Sequence, residues 1–123
     1  MTVALVAVAG SLGAVARYAV DGWIAARMRG VFPWGTFAIN ATGSFLLGFV
    51  FTLMTERFLP HPSVRTALTV GFVGAYTTFS TFSFETWRLI EDGAIGLATL
   101  NVIGNVGIGL VAVYLGVVAG RAL

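Results

Sequence analysis

Four runs along the 123-residue chain carry no charged side chain: residues 2–16, 35–55, 66–84 and 93–120. A helix needs about 20 residues to cross about 30 Å of hydrocarbon. The last three runs meet or nearly meet that length, and the first does so once Arg17 and Asp21 are placed near its end. The segments between them, ARMRGVFPWG, ERFLPHPSVR and WRLIEDG, carry most of the charge, all three Pro and some Gly, and leave no room for a soluble domain. The pattern predicts an all-α integral membrane protein. It forms a single domain of four spanning helices, approximately 2–26, 35–57, 64–88 and 93–120.

Composition agrees with the pattern. The chain is 58% hydrophobic and 10% charged, with a mean hydropathy of +0.93, whereas a soluble domain carries about 25% charge. The opening MTVALVAVAG has no basic n-region, so the first segment is expected to stay rather than to be cleaved as a signal. The absence of Cys rules out a disulfide framework and a thiolate metal site, and the one His, His61, sits in the loop LPHPS. A pI near 9.7 rests on seven Arg and no Lys, without the basic cluster of a nucleic-acid surface. Charges at span ends meet lipid headgroups instead. Trp23, Trp34 and Trp87 all fall beside one predicted membrane face, in the layer indole rings favour.

The same Arg residues bear on orientation. Leaving out Arg17, the N-terminal side holds Arg57, Arg65 and Arg121, and the opposite side holds Arg27, Arg29 and Arg88. Orientation follows the Lys/Arg bias of short loops, so a zero difference predicts insertion both ways and an antiparallel, dual-topology homodimer. The other reading of that count is one topology fixed by a marginal bias.

Polar residues within the spans recur at helical spacing. Thr36, Asn40 and Ser44 share one face of the second span, and Asn101, Asn105 and Gly109 share one face of the fourth. An amide left unpaired in lipid costs several kcal/mol, so these rows face protein, water or a ligand. Interhelical packing glue, helped by small residues such as Gly48 and Gly116, is the plainer of those readings. The third span holds GAYTTFSTFSFE, residues 74–85, with three Phe and five Thr or Ser. Read as a helix, it places Phe79 and Phe82 on one face with Ser80 and Ser83 beside them, and Thr78 and Thr81 on the next flank. Gly71, Gly74, Thr77 and Thr78 weaken a helix at mid-membrane, so two forms are open: a break there, or an unbroken helix whose hydroxyls bond back to the preceding turn. Phenyl edges, amide hydrogens and hydroxyl hydrogens are all donors toward negative charge, and no carboxylate lies in the middle of a span. That lining suits a small anion. Glu56, Glu85, Glu91 and Asp92 read as interfacial, and Arg17 with Asp21 one turn on reads as a local pair that leaves Arg17 available to draw anions in.

GSLGAVARY (10–18), GTFAINATGSFLLGF (35–49), GFVGAYTTFSTFSFE (71–85) and the Asn-bearing fourth span together resemble the small bacterial fluoride channels of the CrcB/Fluc family, over essentially the whole chain. The resemblance implies an antiparallel homodimer with two fluoride pores and a sodium ion at the dimer interface. By position it implies that Phe79 and Phe82 flank fluoride, that Asn40 donates an amide hydrogen, and that Ser80 and Thr78 lie near the same path. It also implies that the third helix is broken mid-membrane, and the backbone carbonyls of Gly74 and Thr77 on that break would hold the structural Na⁺, with two more from the partner copy. The fourth span departs from the family pattern of Tyr and Ser hydroxyls, because Asn101, Asn105 and Gly109 occupy that row. The implied function is passive, non-enzymatic export of fluoride across the bacterial plasma (inner) membrane, which relieves fluoride toxicity. Its partners are fluoride, lipid and a second copy of the chain. Two rivals are a non-transporting membrane assembly subunit and a dual-topology small-molecule exporter. The exporter would need a titratable carboxylate deep in a span, and the four uncharged runs contain none.

Overall fold

A computed structural model describes all residues, 1–123, as five helices with no strand. They are α1 (Thr2–Ala25), α2 (Trp34–Glu56), α3 (residues 62–76), α4 (Phe79–Glu91) and α5 (Ile95–Ala122). α1, α2 and α5 are each long and apolar enough to cross a membrane. α3 and α4 are not, yet end to end they run beside α1 and parallel to it. The Thr2 and Ser63 hydroxyls meet at 2.6 Å at one end. Further along, Gly71 packs on Val6 and Ala9, Gly13 packs on the Phe72 carbonyl, and Asp21 and Glu85 line the same cleft at the far end. The broken pair therefore makes the fourth traverse of the bundle.

α2 and α5 are also parallel and touch backbone to backbone. Gly48 lies against the Val113 carbonyl, Gly116 against the Phe45 carbonyl, and Gly120 against Thr52. The ends of the two helices are joined by Arg121 and Glu56 at 3.1 Å. Lipid tails give apolar faces no reason to leave them, so membrane helices gain from close contact, and glycine permits it. The consequence is a core of few large side chains, Ile39 being the largest apolar one fully buried, while most large apolar side chains face outward. All three Trp residues are exposed.

Local chemistry explains where α3 and α4 begin and part. The His61 ring nitrogen Nδ1 accepts from the Ser63 N–H at 3.2 Å, and Pro62 occupies the first helical turn, a position where its missing N–H costs nothing. From Ala67 to Val73 the chain is a π-helix, whose wider turn no sequence signal announced. Helix α3 then stops. Thr77 and Thr78 are extended, at φ −79°, ψ 161° and φ −150°, ψ 117°. The Thr78 hydroxyl accepts from the Thr81 N–H at 3.2 Å and so caps α4. Of the two forms the sequence left open, the chain adopts the broken one. α4 runs past Arg88 to Glu91, and α5 runs from Ile95 through Arg121 to Ala122.

Candidate functional site

The break is held open by one side chain. Asn40 of α2 pairs with both backbone groups of Thr78: its Nδ2 donates to the Thr78 carbonyl at 3.1 Å, and its Oδ1 accepts from the Thr78 N–H at 2.9 Å. The remaining Nδ2 hydrogen goes to Asn105 Oδ1 at 3.0 Å. Both amide hydrogens of Asn40 are thus engaged within the protein. In an unbroken helix the Thr78 and Thr81 N–H groups would bond the carbonyls of Gly74 and Thr77. Here they go to Asn40 Oδ1 and Thr78 Oγ1, so both carbonyls are released from those partners. Gly43 makes room for the arrangement, because a Cβ there would meet the side chains of Thr77 and Tyr76.

Around the break lies a cleft of about 310 Å³ that brings together Asn40, Gly74, Thr77, Thr78, Phe79, Phe82 and Asn105, with no carboxylate in its lining. The Phe79 and Phe82 rings are 5.7 Å apart and tilted by 60°. Their surroundings differ: Phe82 is 8% exposed, whereas Phe79 is 79% exposed on the outer face of the chain. Ser80 is exposed on α4 and is not among the residues lining this cleft, and Asn101 is fully buried behind it.

Thr78 has a second side. With Thr81, Thr36 and Arg17 it lines a smaller cleft of about 190 Å³ toward α1, so the break separates two hollows. Arg17 and Asp21 form no ion pair; the one salt bridge of the chain is Arg121 with Glu56. The reason is Gly35, whose missing side chain leaves a space that the Asp21 carboxylate fills against the start of α2. Glu85 lines the cleft at the same end of the bundle. It is half-buried and accepts from the Thr36 hydroxyl at 2.5 Å. The row read along α2 accordingly divides, with Thr36 going to Glu85, Asn40 to the break, and Ser44 to the larger cleft beside Gly109.

Sequence reasoning missed Thr86. Asn101 donates to its hydroxyl at 2.9 Å, and that hydroxyl donates to the Phe82 carbonyl at 2.8 Å. Thr86 sits one turn beyond Phe82, a spacing that could have flagged it once the fourth span was known to pack there.

Fold and site define a class: a small all-helical integral membrane protein with a carboxylate-free polar cleft at a helix break. The family described as "CrcB-like protein, Camphor Resistance (CrcB)" matches residues 4–117, and the chain belongs to that family. Several relatives are named Fluoride-specific ion channel FluC. The one from Acidobacterium capsulatum is 47% identical over 118 residues, covering 96% of this chain and 94% of its own. Its counterpart from Geotalea daltonii is 43% identical over 120 residues, covering 98% and 97%. A third, from Magnetococcus marinus, is 43% identical over 123 residues and is covered in full, as is this chain.

Proposed function

We propose that the protein is a fluoride-selective channel through which fluoride leaves the cell passively across the plasma membrane, the bacterial inner membrane. The observation that carries this reading is the cleft at the break, where two phenyl rings, amides and hydroxyls converge without a carboxylate, in a chain similar along its whole length to relatives named for that activity. Fluoride is small and strongly hydrated, so a pore replaces its water with fixed donors and rejects larger halides by width. Phe79 and Phe82 offer ring edges to the anion, Thr78 offers a hydroxyl within the cleft, and Ser80 offers one on the exposed face of α4, where a partner copy would complete the path. Asn40 lines the path and braces the break, its amide hydrogens held by the Thr78 carbonyl and Asn105 Oδ1. Arg17 lines the smaller cleft on the α1 side together with Asp21, with which it forms no ion pair, and its guanidinium is available there to draw anions in. Asn101 and Asn105 back the lining from α5. No energy source is required, because an inside-negative potential contributes about 2.3 kcal/mol per 100 mV toward expelling one anion.

The working unit of this reading is an antiparallel homodimer of both orientations. Its support is the balanced Arg count and the exposed Phe79, Ser80 and Ser83 on the outer face of α4, where lipid would leave the two hydroxyls unsatisfied and a partner copy would cover them. A structural Na⁺ fits the same face. The Gly74 and Thr77 carbonyls, freed by the break, are hard oxygen ligands of the kind unwound membrane segments offer a cation. Paired with those of the partner copy, they would tie the two protomers together at the point where both helices part. Cysteine-accessibility labelling tests the topology. Dual topology predicts modification of a loop cysteine from both sides of the membrane, and labelling from one side alone contradicts it. For the pore, Phe79→Ala and Phe82→Ala in liposomes are each expected to lower fluoride efflux with the dimer intact; wild-type efflux from both would overturn the lining.

A further inference from the structure

We propose that Thr86, Asn101 and Asn105 are positioning residues: a relay of amides with one permitted polarity that locks Asn40, and through it the break at Thr78, to the turn of α4 that carries Phe82. Its consequence for permeation rests on the channel reading, but its existence rests on geometry alone. Asn105 Nδ2 donates to Asn101 Oδ1 at 2.9 Å and to the Asn101 carbonyl at 2.8 Å, while Asn105 Oδ1 accepts from Asn40. Asn101, 0% exposed, passes its own Nδ2 to the Thr86 hydroxyl, which passes its proton to the Phe82 carbonyl.

Every orientation in this chain is forced. The Thr78 N–H only donates and its carbonyl only accepts, which fixes Asn40. The Asn101 main-chain carbonyl only accepts, which fixes Asn105 with its oxygen toward Asn40. Asn101 Oδ1 is then taken by Asn105, so its Nδ2 must face Thr86. Turning any one amide over would set like groups against each other at its neighbours. The two ends of the relay, at Thr78 and at Phe82, lie four residues apart on the same segment with Phe79 between them. The path through α2 and α5 therefore closes a loop around the aromatic pair, and break and pair move as one body. Ordinary glue among α2, α4 and α5 would hold those helices together but would not transmit a change at Thr86 to the backbone of Thr78.

That difference is measurable. In the full-length protein in detergent micelles, Thr86→Val removes the hydroxyl at nearly constant shape. We expect hydrogen–deuterium exchange at the Thr78 N–H to speed up about tenfold, Thr86→Ser to restore wild-type exchange, and Thr99→Val to leave it unchanged. Thr99 is a suitable control because its exposed hydroxyl bonds only the Ile95 carbonyl of its own helix. In liposomes, Thr86→Val should also lower fluoride efflux, and Thr86→Ser should recover it. Unaltered protection at Thr78 in Thr86→Val would overturn the relay, as would a Thr86→Ser protein as defective as the valine variant. If Thr86→Val does not fold, Asn105→Leu at its half-buried position gives the same readout. Wild-type protein that passes no fluoride would sink the channel reading, while the exchange at Thr78 would still decide the relay.

Discussion

Asn40→Leu removes three hydrogen bonds in one step while keeping close to the original side-chain volume. The Thr78 N–H, the Thr78 carbonyl and Asn105 Oδ1 all lose their partner, at 2.9, 3.1 and 3.0 Å respectively. A buried polar group left unsatisfied costs about 1–3 kcal/mol. Asn40 is half-buried and the cleft can admit water to some of these groups, so the total lies nearer the bottom of the summed range, about 3–5 kcal/mol. Part of that cost has an escape route: with its brace gone, the Thr78 N–H can return to the Gly74 carbonyl and heal the helix. The variant should therefore show both a lower unfolding midpoint and altered exchange at residues 74–81. Circular dichroism during thermal unfolding in detergent, beside Thr55→Val as a control, reads the first effect. Thr55 bonds only carbonyls of its own helix and should shift stability by no more than about 0.5 kcal/mol. An Asn40→Leu protein as stable as the control, with native exchange through the break, would refute the claim that Asn40 holds the break open.

Other expectations follow from contacts already described. Phe79→Ala alters a side chain 79% exposed in the protomer, so protomer folding should survive while fluoride efflux falls; unfolding of the monomer would contradict that placement. Gly116→Ala would press a methyl on the Phe45 carbonyl and to 2.8 Å from the Phe49 nitrogen, both backbone. The overpacking costs about 1–3 kcal/mol against a helix-propensity gain of up to about 1 kcal/mol, so the unfolding midpoint should drop, and a rise would be contrary. Glu56→Gln breaks the exposed ion pair with Arg121 and should leave thermal stability and flux unchanged, since such pairs are screened by solvent; a large loss in either would show that the α2–α5 end contact matters more than its exposure suggests.

The bundle was legible because lipid imposes length and charge constraints that a sequence displays openly. The break was half legible: Gly71, Gly74 and the Thr pair weaken a helix, but only the tertiary partner Asn40 decides between bending back and parting. The π-helix at Ala67–Val73 left no trace, since seven residues are too few to separate its period from that of an α-helix. Asn101 and Asn105 stood out as a row, yet Thr86 did not, because which hydroxyl meets an amide across two helices depends on their relative register. Spacing alone pairs Asp21 with Arg17. Gly35, fourteen residues further on, offered it a better-fitting space. The position of Glu85 at the end of an uncharged run places it at the bundle end, but its bond to Thr36 depends on how α2 and α4 pack.

Fluoride efflux from liposomes holding the purified protein tests the central claim most directly. The ion is read with a fluoride electrode while a potassium ionophore clamps the voltage, beside matched chloride-loaded vesicles. Fast fluoride release with chloride retained is the predicted result. Release of neither ion from protein shown to be folded and assembled, or equal release of both, would contradict a fluoride-selective pore at the break.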